Sequence, residues 1–84
     1  MNIGAVSFKG MLKIDSDTYI NTNKIESIYT NRHNSNDFKT VNVVTDNTSY
    51  QCPDDVTIDK FMKAYNIAAK QNDIIVDTKC KILY

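Results

Sequence analysis

Only one stretch of this 84-residue chain repeats its apolar side chains with the period of a helix. Ile58, Phe61, Met62, Tyr65, Ala68 and Ala69 fall at i, i+3, i+4, i+7, i+10 and i+11, a single stripe, while Asp59, Lys60, Lys63, Asn66 and Lys70 take the other side. Elsewhere the apolar residues alternate with polar ones, the period of a strand with one wet face. A lone amphipathic helix cannot bury its stripe against itself, so it must lie on a sheet. The expected fold is therefore α+β: an antiparallel sheet of about five to six strands with one helix, residues 57–71, packed on one face. A chain of this length has material for one core, so residues 1–84 read as a single domain.

The strands can be placed by their turns. Phe8, Gly10, Leu12 and Ile14 alternate with Lys9, Met11 and Lys13, and the polar cluster Asp15, Ser16, Asp17 returns the chain into a short strand over 18–21. Asn21, Thr22 and Asn23 break that strand, and a third is expected near residues 26–31. Residues 38–45 form a strand in which Val41 and Val43 share a face. Asp46 and Asn47 then make a two-residue turn of the kind that accepts positive φ at both positions, leading into residues 48–52. Pro53, Asp54 and Asp55 end this strand, and an Asp is expected as helix N-cap. After the helix, alternation over 74–84 predicts a strand of up to eleven residues, about 36 Å at roughly 3.3 Å per residue. A half-apolar edge of that length calls for a partner, and a homodimer through 74–84 is the expectation.

Charge and composition exclude several functions. Ten basic and ten acidic residues give a formal net charge of zero, which argues against a nucleic-acid partner. The longest apolar runs, such as Ile74, Ile75, Val76, are too short to cross a bilayer, and the first residues lack a basic segment followed by an apolar run, so a cytoplasmic protein is expected. Cys52 and Cys80, with one His in the chain, lack zinc-site spacing and read as reduced thiols; no metal and no cofactor is expected. No nucleophile, base and orienting group assemble into a recognisable set, and two glycines do not make a phosphate loop, so no catalytic residue is assigned and the chain is not read as an enzyme.

Two groups of residues stand out for binding. Residues 31–37 have no apolar side chain and hold the only Arg and the only His; Asn31, Arg32, His33, Asn34 and Asp37 offer a guanidinium fork, an imidazole, amides and a carboxylate. Tyr29 and Tyr50, with Tyr19, fall on neighbouring strands, where they pack against the helix or present a face to a partner. The close pairs Asp15 with Asp17 and Asp54 with Asp55 read as turn and cap residues.

The sequence Met11, Leu12, Lys13, Ile14, then Tyr19, Ile20, Asn21, then Ile25, Glu26, Ser27, Ile28, then Val41 to Val44, Asp46, Asn47, Tyr50 and the helix from Asp54 resembles small phage-type β-meander-plus-helix proteins. It is also similar to the small flagellar-regulator family over roughly residues 11–66. The departures are the polar loop at 31–37 and the segment after the helix. An abundance of Asn, Ile, Lys and Asp fits A/T-rich codons and, with the resemblance, a phage gene. The function this implies is a non-catalytic binding protein, a phage-encoded inhibitor of a host defence system such as an anti-CRISPR protein, which occupies a host protein's surface in the host cytoplasm. The alternatives are an oligomeric sponge that sequesters a cyclic-nucleotide signal, with Arg32 near phosphate, and a small housekeeping regulator.

Overall fold

The computed structural model describes residues 9–32 and 39–83, with the side chain of Arg32 outside that set. The chain runs β1 (Met11–Asp15), β2 (Thr18–Asn21), a 3-10 turn (Thr22–Lys24), β3 (Ile25–Arg32), β4 (Lys39–Thr45), β5 (Ser49–Gln51), α1 (Ile58–Lys70), β6 (Ile75–Asp77) and β7 (Ile82–Leu83). It is α+β with one helix, but the strands form two sheets: β2-β1-β6-β7 and β3-β4-β5. The single sheet expected from alternation is thereby corrected. Alternation marks which residues are strands and carries no information about which strands pair.

β1 is the hinge of the arrangement. It pairs antiparallel with β2, Leu12 opposite Ile20, and parallel with β6, Leu12 opposite Val76, so the sheet is mixed and not antiparallel throughout. Parallel partners need a crossover, and α1 supplies it. Leu12, Ile14, Ile20, Val76, Phe61, Ala64 and Ala68 meet Val41, Val43, Cys52 and Val56 in one core. Ile58, Met62, Tyr65 and Ile67 flank the helix's buried line of Phe61, Ala64 and Ala68. Small residues at the centre of that line let the helix end approach β1 closely: the Gly10 N–H donates to the Ala68 carbonyl at 3.0 Å.

The helix starts at a different cap from the one expected. Thr57 is the N-cap, and its Oγ1 accepts from the Lys60 N–H at 3.2 Å. Asp55 lies ahead of it and pairs instead with Lys79, 2.6 Å away. The hairpin at Asp46 and Asn47 is present, closed by the Thr45 N–H on the Thr48 carbonyl at 2.8 Å. Neither turn residue has positive φ; among the described residues that conformation belongs to Asp73 (φ 61°) and Cys80 (φ 74°).

Cys80 explains why residues 74–84 are not one long strand. After β6 the chain makes a tight turn in which the Cys80 N–H donates to the Asp77 carbonyl (2.6 Å), the Asp77 N–H to the Lys81 carbonyl (2.7 Å) and the Lys79 N–H to Asp77 Oδ1 (3.0 Å). A left-handed residue closing such a turn is the usual three-residue hairpin device. Thus β6 folds back on β7, Ile75 opposite Leu83, and the Cys80 thiol reaches the Lys60 carbonyl on the helix at 3.4 Å. No described helix is long and apolar enough to cross a membrane.

Candidate functional site

The 3-10 turn and the β4-β5 hairpin contribute to one groove that is also lined by strands of both sheets. Asn21 caps the 3-10 turn, its Oδ1 accepting from the Asn23 N–H at 2.8 Å, and this sets the direction in which Lys24 leaves the turn. Across from it stand Thr45, Asp46, Asn47 and Tyr50. Between them lies a groove of about 340 Å³ lined by Tyr19, Ile20, Asn21, Lys24, Thr45, Asp46, Asn47 and Tyr50. Tyr19 comes from the edge strand of one sheet and Tyr50 from the edge strand of the other.

The groove's chemistry is mixed. Tyr50 leans on the core and is half-buried, whereas Tyr19 is 45% exposed. Lys24 and Asp46 are exposed and neither has an ion-pair partner among the described residues. The site therefore offers two aromatic bodies with phenolic tips, two Asn side chains, one ammonium and one carboxylate. That set can hold a polar ligand or a partner's loop by stacking and hydrogen bonding.

Tyr50 is the residue of the expected binding set that lines this groove. Tyr29 lies on the other face of its sheet: it stands opposite Asn42, whereas Tyr50 stands opposite Val43, and side chains alternate between faces. With Tyr29 44% exposed and Tyr19 45% exposed, packing of these two against the helix is corrected; only Tyr50 joins the core. Asn31 is exposed near the far end of β3, opposite Thr40, and Arg32 stands opposite Lys39. Seven steps of strand separate Ile25 from Arg32, about 24 Å at ~3.4 Å per residue, so Arg32 and the groove lie at opposite ends of β3. His33, Asn34 and Asp37 lie outside the described residues.

The sequence reading passed over Lys24, Asn21 and Asp46 as site residues. The signal was present in the turn chemistry, since both turns that build the groove are visible, but nothing local says that they face one another.

Several polar groups outside the groove serve turns and ion pairs. Asp15 Oδ1 accepts from the Asp17 N–H at 2.9 Å, and this bond, with one from the Thr18 side chain, holds the Asp15 carboxyl below its usual range. The hydrogen bond between Asp55 and Lys79 lowers the first group's pKa and raises the second's. Burial, helped by the charge of Asp15, pushes the Cys52 thiol up to about 12. Among the described residues no three His, Cys, Asp or Glu side chains gather as a metal site. Lys13 and Lys79 line another depression, of about 200 Å³. Comparison of the chain with protein-family models, curated proteins and solved structures finds no match.

Proposed function

We propose that this chain is a non-catalytic binding module that acts by occupying the surface of a partner protein, with the Tyr19–Tyr50 groove as the seat. The observation that carries the reading is the pairing of two tyrosines from different sheets around an ammonium and a carboxylate, neither of which has an ion-pair partner among the described residues. Tyrosine gives a large contact area at low conformational cost, and isolated charges at a rim fix the register of a partner. A phage-encoded inhibitor of a host defence system, working in the host cytoplasm, is the setting proposed for it, supported by the composition and the resemblance noted above.

The experiment is capture from host lysate with three forms of the protein: wild type, Tyr19→Ser/Lys24→Glu, and Arg32→Ala/His33→Ala. A stable complex lost by the groove variant and kept by the loop variant supports the reading. Loss by the loop variant alone moves the seat to the other end of β3, and no complex with any form removes protein inhibition. A second reading is favoured by the groove's volume, which lies within the ~300–1,000 Å³ of small-molecule sites. Here the protein sequesters a nucleotide, with Lys24 in the role first given to Arg32. A panel of cyclic nucleotides that leaves the melting temperature unmoved counts against it.

A further inference from the structure

Three of the four sheet edges are short. β2 has four residues, β5 three and β7 two, which is how folded chains avoid pairing with strangers. The fourth, β3, has eight, contains no Pro, and carries Glu26 as its single charge before Arg32. It is paired on one side only among the described residues.

The direction of its backbone groups follows from the neighbouring ladder. The Thr45 N–H donates to Thr48 and the Cys52 N–H to Val41, so residues 41, 43 and 45 of β4 turn their N–H and C=O groups toward β5. Alternation turns those of Thr40, Asn42 and Val44 toward β3, where they meet Asn31, Tyr29 and Ser27. The backbone groups of Ile28, Thr30 and Arg32 therefore point away from β4, off the edge that is unpaired among the described residues.

We propose that β3 pairs antiparallel with β3 of a second copy of this chain about a two-fold axis at Tyr29, joining the two three-stranded sheets into one of six. In this register Ile28 faces Thr30 of the copy and exchanges both backbone hydrogen bonds with it. Tyr29 meets its own counterpart at a non-hydrogen-bonded position, where side chains approach most closely. Glu26 comes opposite Arg32.

The charges select this register and this occupant. Arg32 stands in register with Lys39 within the chain, so the sequence puts two bases at adjacent strand positions, and an acid in the next strand is favoured there. Glu26 is exposed, sits at the irregularity between Ile25 and Ser27, and has no ion-pair partner among the described residues. A two-fold at Ile28 would instead set Glu26 opposite Thr30 and leave Arg32 opposite the 3-10 turn, and one at Thr30 would carry Glu26 past the end of the strand. The same strand thus holds both halves of a self-complementary charge pattern. The interface is one strand wide, so association is weak and concentration-dependent. It also replaces 74–84, which ends in a two-residue edge, as the self-pairing segment.

Sedimentation equilibrium of the full chain, from micromolar to the highest soluble concentration, tests this. The wild-type mass should climb from 9.6 kDa toward twice that value. Glu26→Lys should raise the half-association concentration by about tenfold or more, and Glu26→Lys/Arg32→Glu should bring it back. Thr30→Pro removes an N–H that points off the edge and costs no internal ladder bond, so it should abolish association with the fold intact by circular dichroism. A dimer that survives Thr30→Pro, or a double variant no better than Glu26→Lys, overturns the proposal. So does a chain that stays monomeric throughout, which leaves the edge to a strand of some other protein.

Discussion

Gly10 is the residue whose replacement has a sign that the structure decides. Its φ is negative, so alanine can adopt the backbone, and on unfolded-state entropy alone Gly10→Ala would stabilise the protein by about 0.4–1 kcal/mol. A Cβ at this position, however, would stand 2.9 Å from the Ala68 carbonyl oxygen, 2.9 Å from that of Ile74 and 3.0 Å from Ile74 Cγ1. The first two are backbone atoms at the end of α1 and the entry to β6, and neither can rotate away. Relieving the clash lengthens the Gly10 N–H bond to Ala68 (3.0 Å) and the Met11 N–H bond to Ile74 (2.9 Å), each worth about 1 kcal/mol. Overpacking of this kind costs about 1–3 kcal/mol before those bonds are touched. The net expectation is a loss of about 2 kcal/mol, or a melting temperature about 8–16 °C lower for a domain of this size. Urea unfolding of both proteins, followed by circular dichroism and tyrosine fluorescence, gives the difference directly. A Gly10→Ala protein as stable as wild type, or more so, would show that the helix end and β1 are not in the close approach described.

Asp73→Gly should go the other way: at φ 61° an Asp carries a left-handed penalty that glycine lacks, and a gain of about 1 kcal/mol is expected by thermal melting. Thr78 is fully buried and its Oγ1 has no hydrogen-bond partner among the described residues, so Thr78→Val, which keeps the shape and the backbone bond to Lys13, should add about 1 kcal/mol in the same assay. Timed alkylation at neutral pH should label Cys80 in the native protein and Cys52 only on unfolding, because Cys52 is buried and its thiol stays protonated. Stability should be level between about pH 5 and 9. It falls in acid as Asp15 and Asp55, whose folded pKa values are lowered, take up protons; it falls in alkali as Cys52 and Lys79, whose folded values are raised, lose them. Melting curves across pH that still rise above pH 10 would contradict these assignments.

The parts of the fold that were legible in the sequence are those written locally. The stripe around Phe61 and the hairpins at 15–17 and 46–47 each depend on residues within a few positions of one another. Pairing depends on residues far apart, and there alternation misleads. The segment 74–84 alternates without a break, yet Cys80, a residue with no turn reputation, takes the left-handed conformation and folds it in two. Thr57 likewise outcompetes the acids before it as cap, and Asp55 is free to reach Lys79 only because that turn brings the lysine back. Of the expected binding residues, Tyr50 was placed correctly on a strand with Tyr19 named beside it, but Lys24 was not foreseen. Tyr19 reaches it from the other sheet and Lys24 from the 3-10 turn, and no spacing rule links two sheets.

The parallel alignment of β1 with β6 has a consequence for how the molecule comes into being. Met11 is among the first described residues to leave a ribosome and Ile75 among the last, yet they lie side by side. The β1-β2 and β4-β5 hairpins can form early from local contacts, but β1 must wait for nearly the whole chain before its second neighbour exists. Until then its open side and the apolar faces of Leu12 and Ile14 are available to any passing strand. A nascent chain stalled before residue 75 should therefore be sensitive to protease and prone to aggregate, and protection should arrive in one step once 75–77 is released.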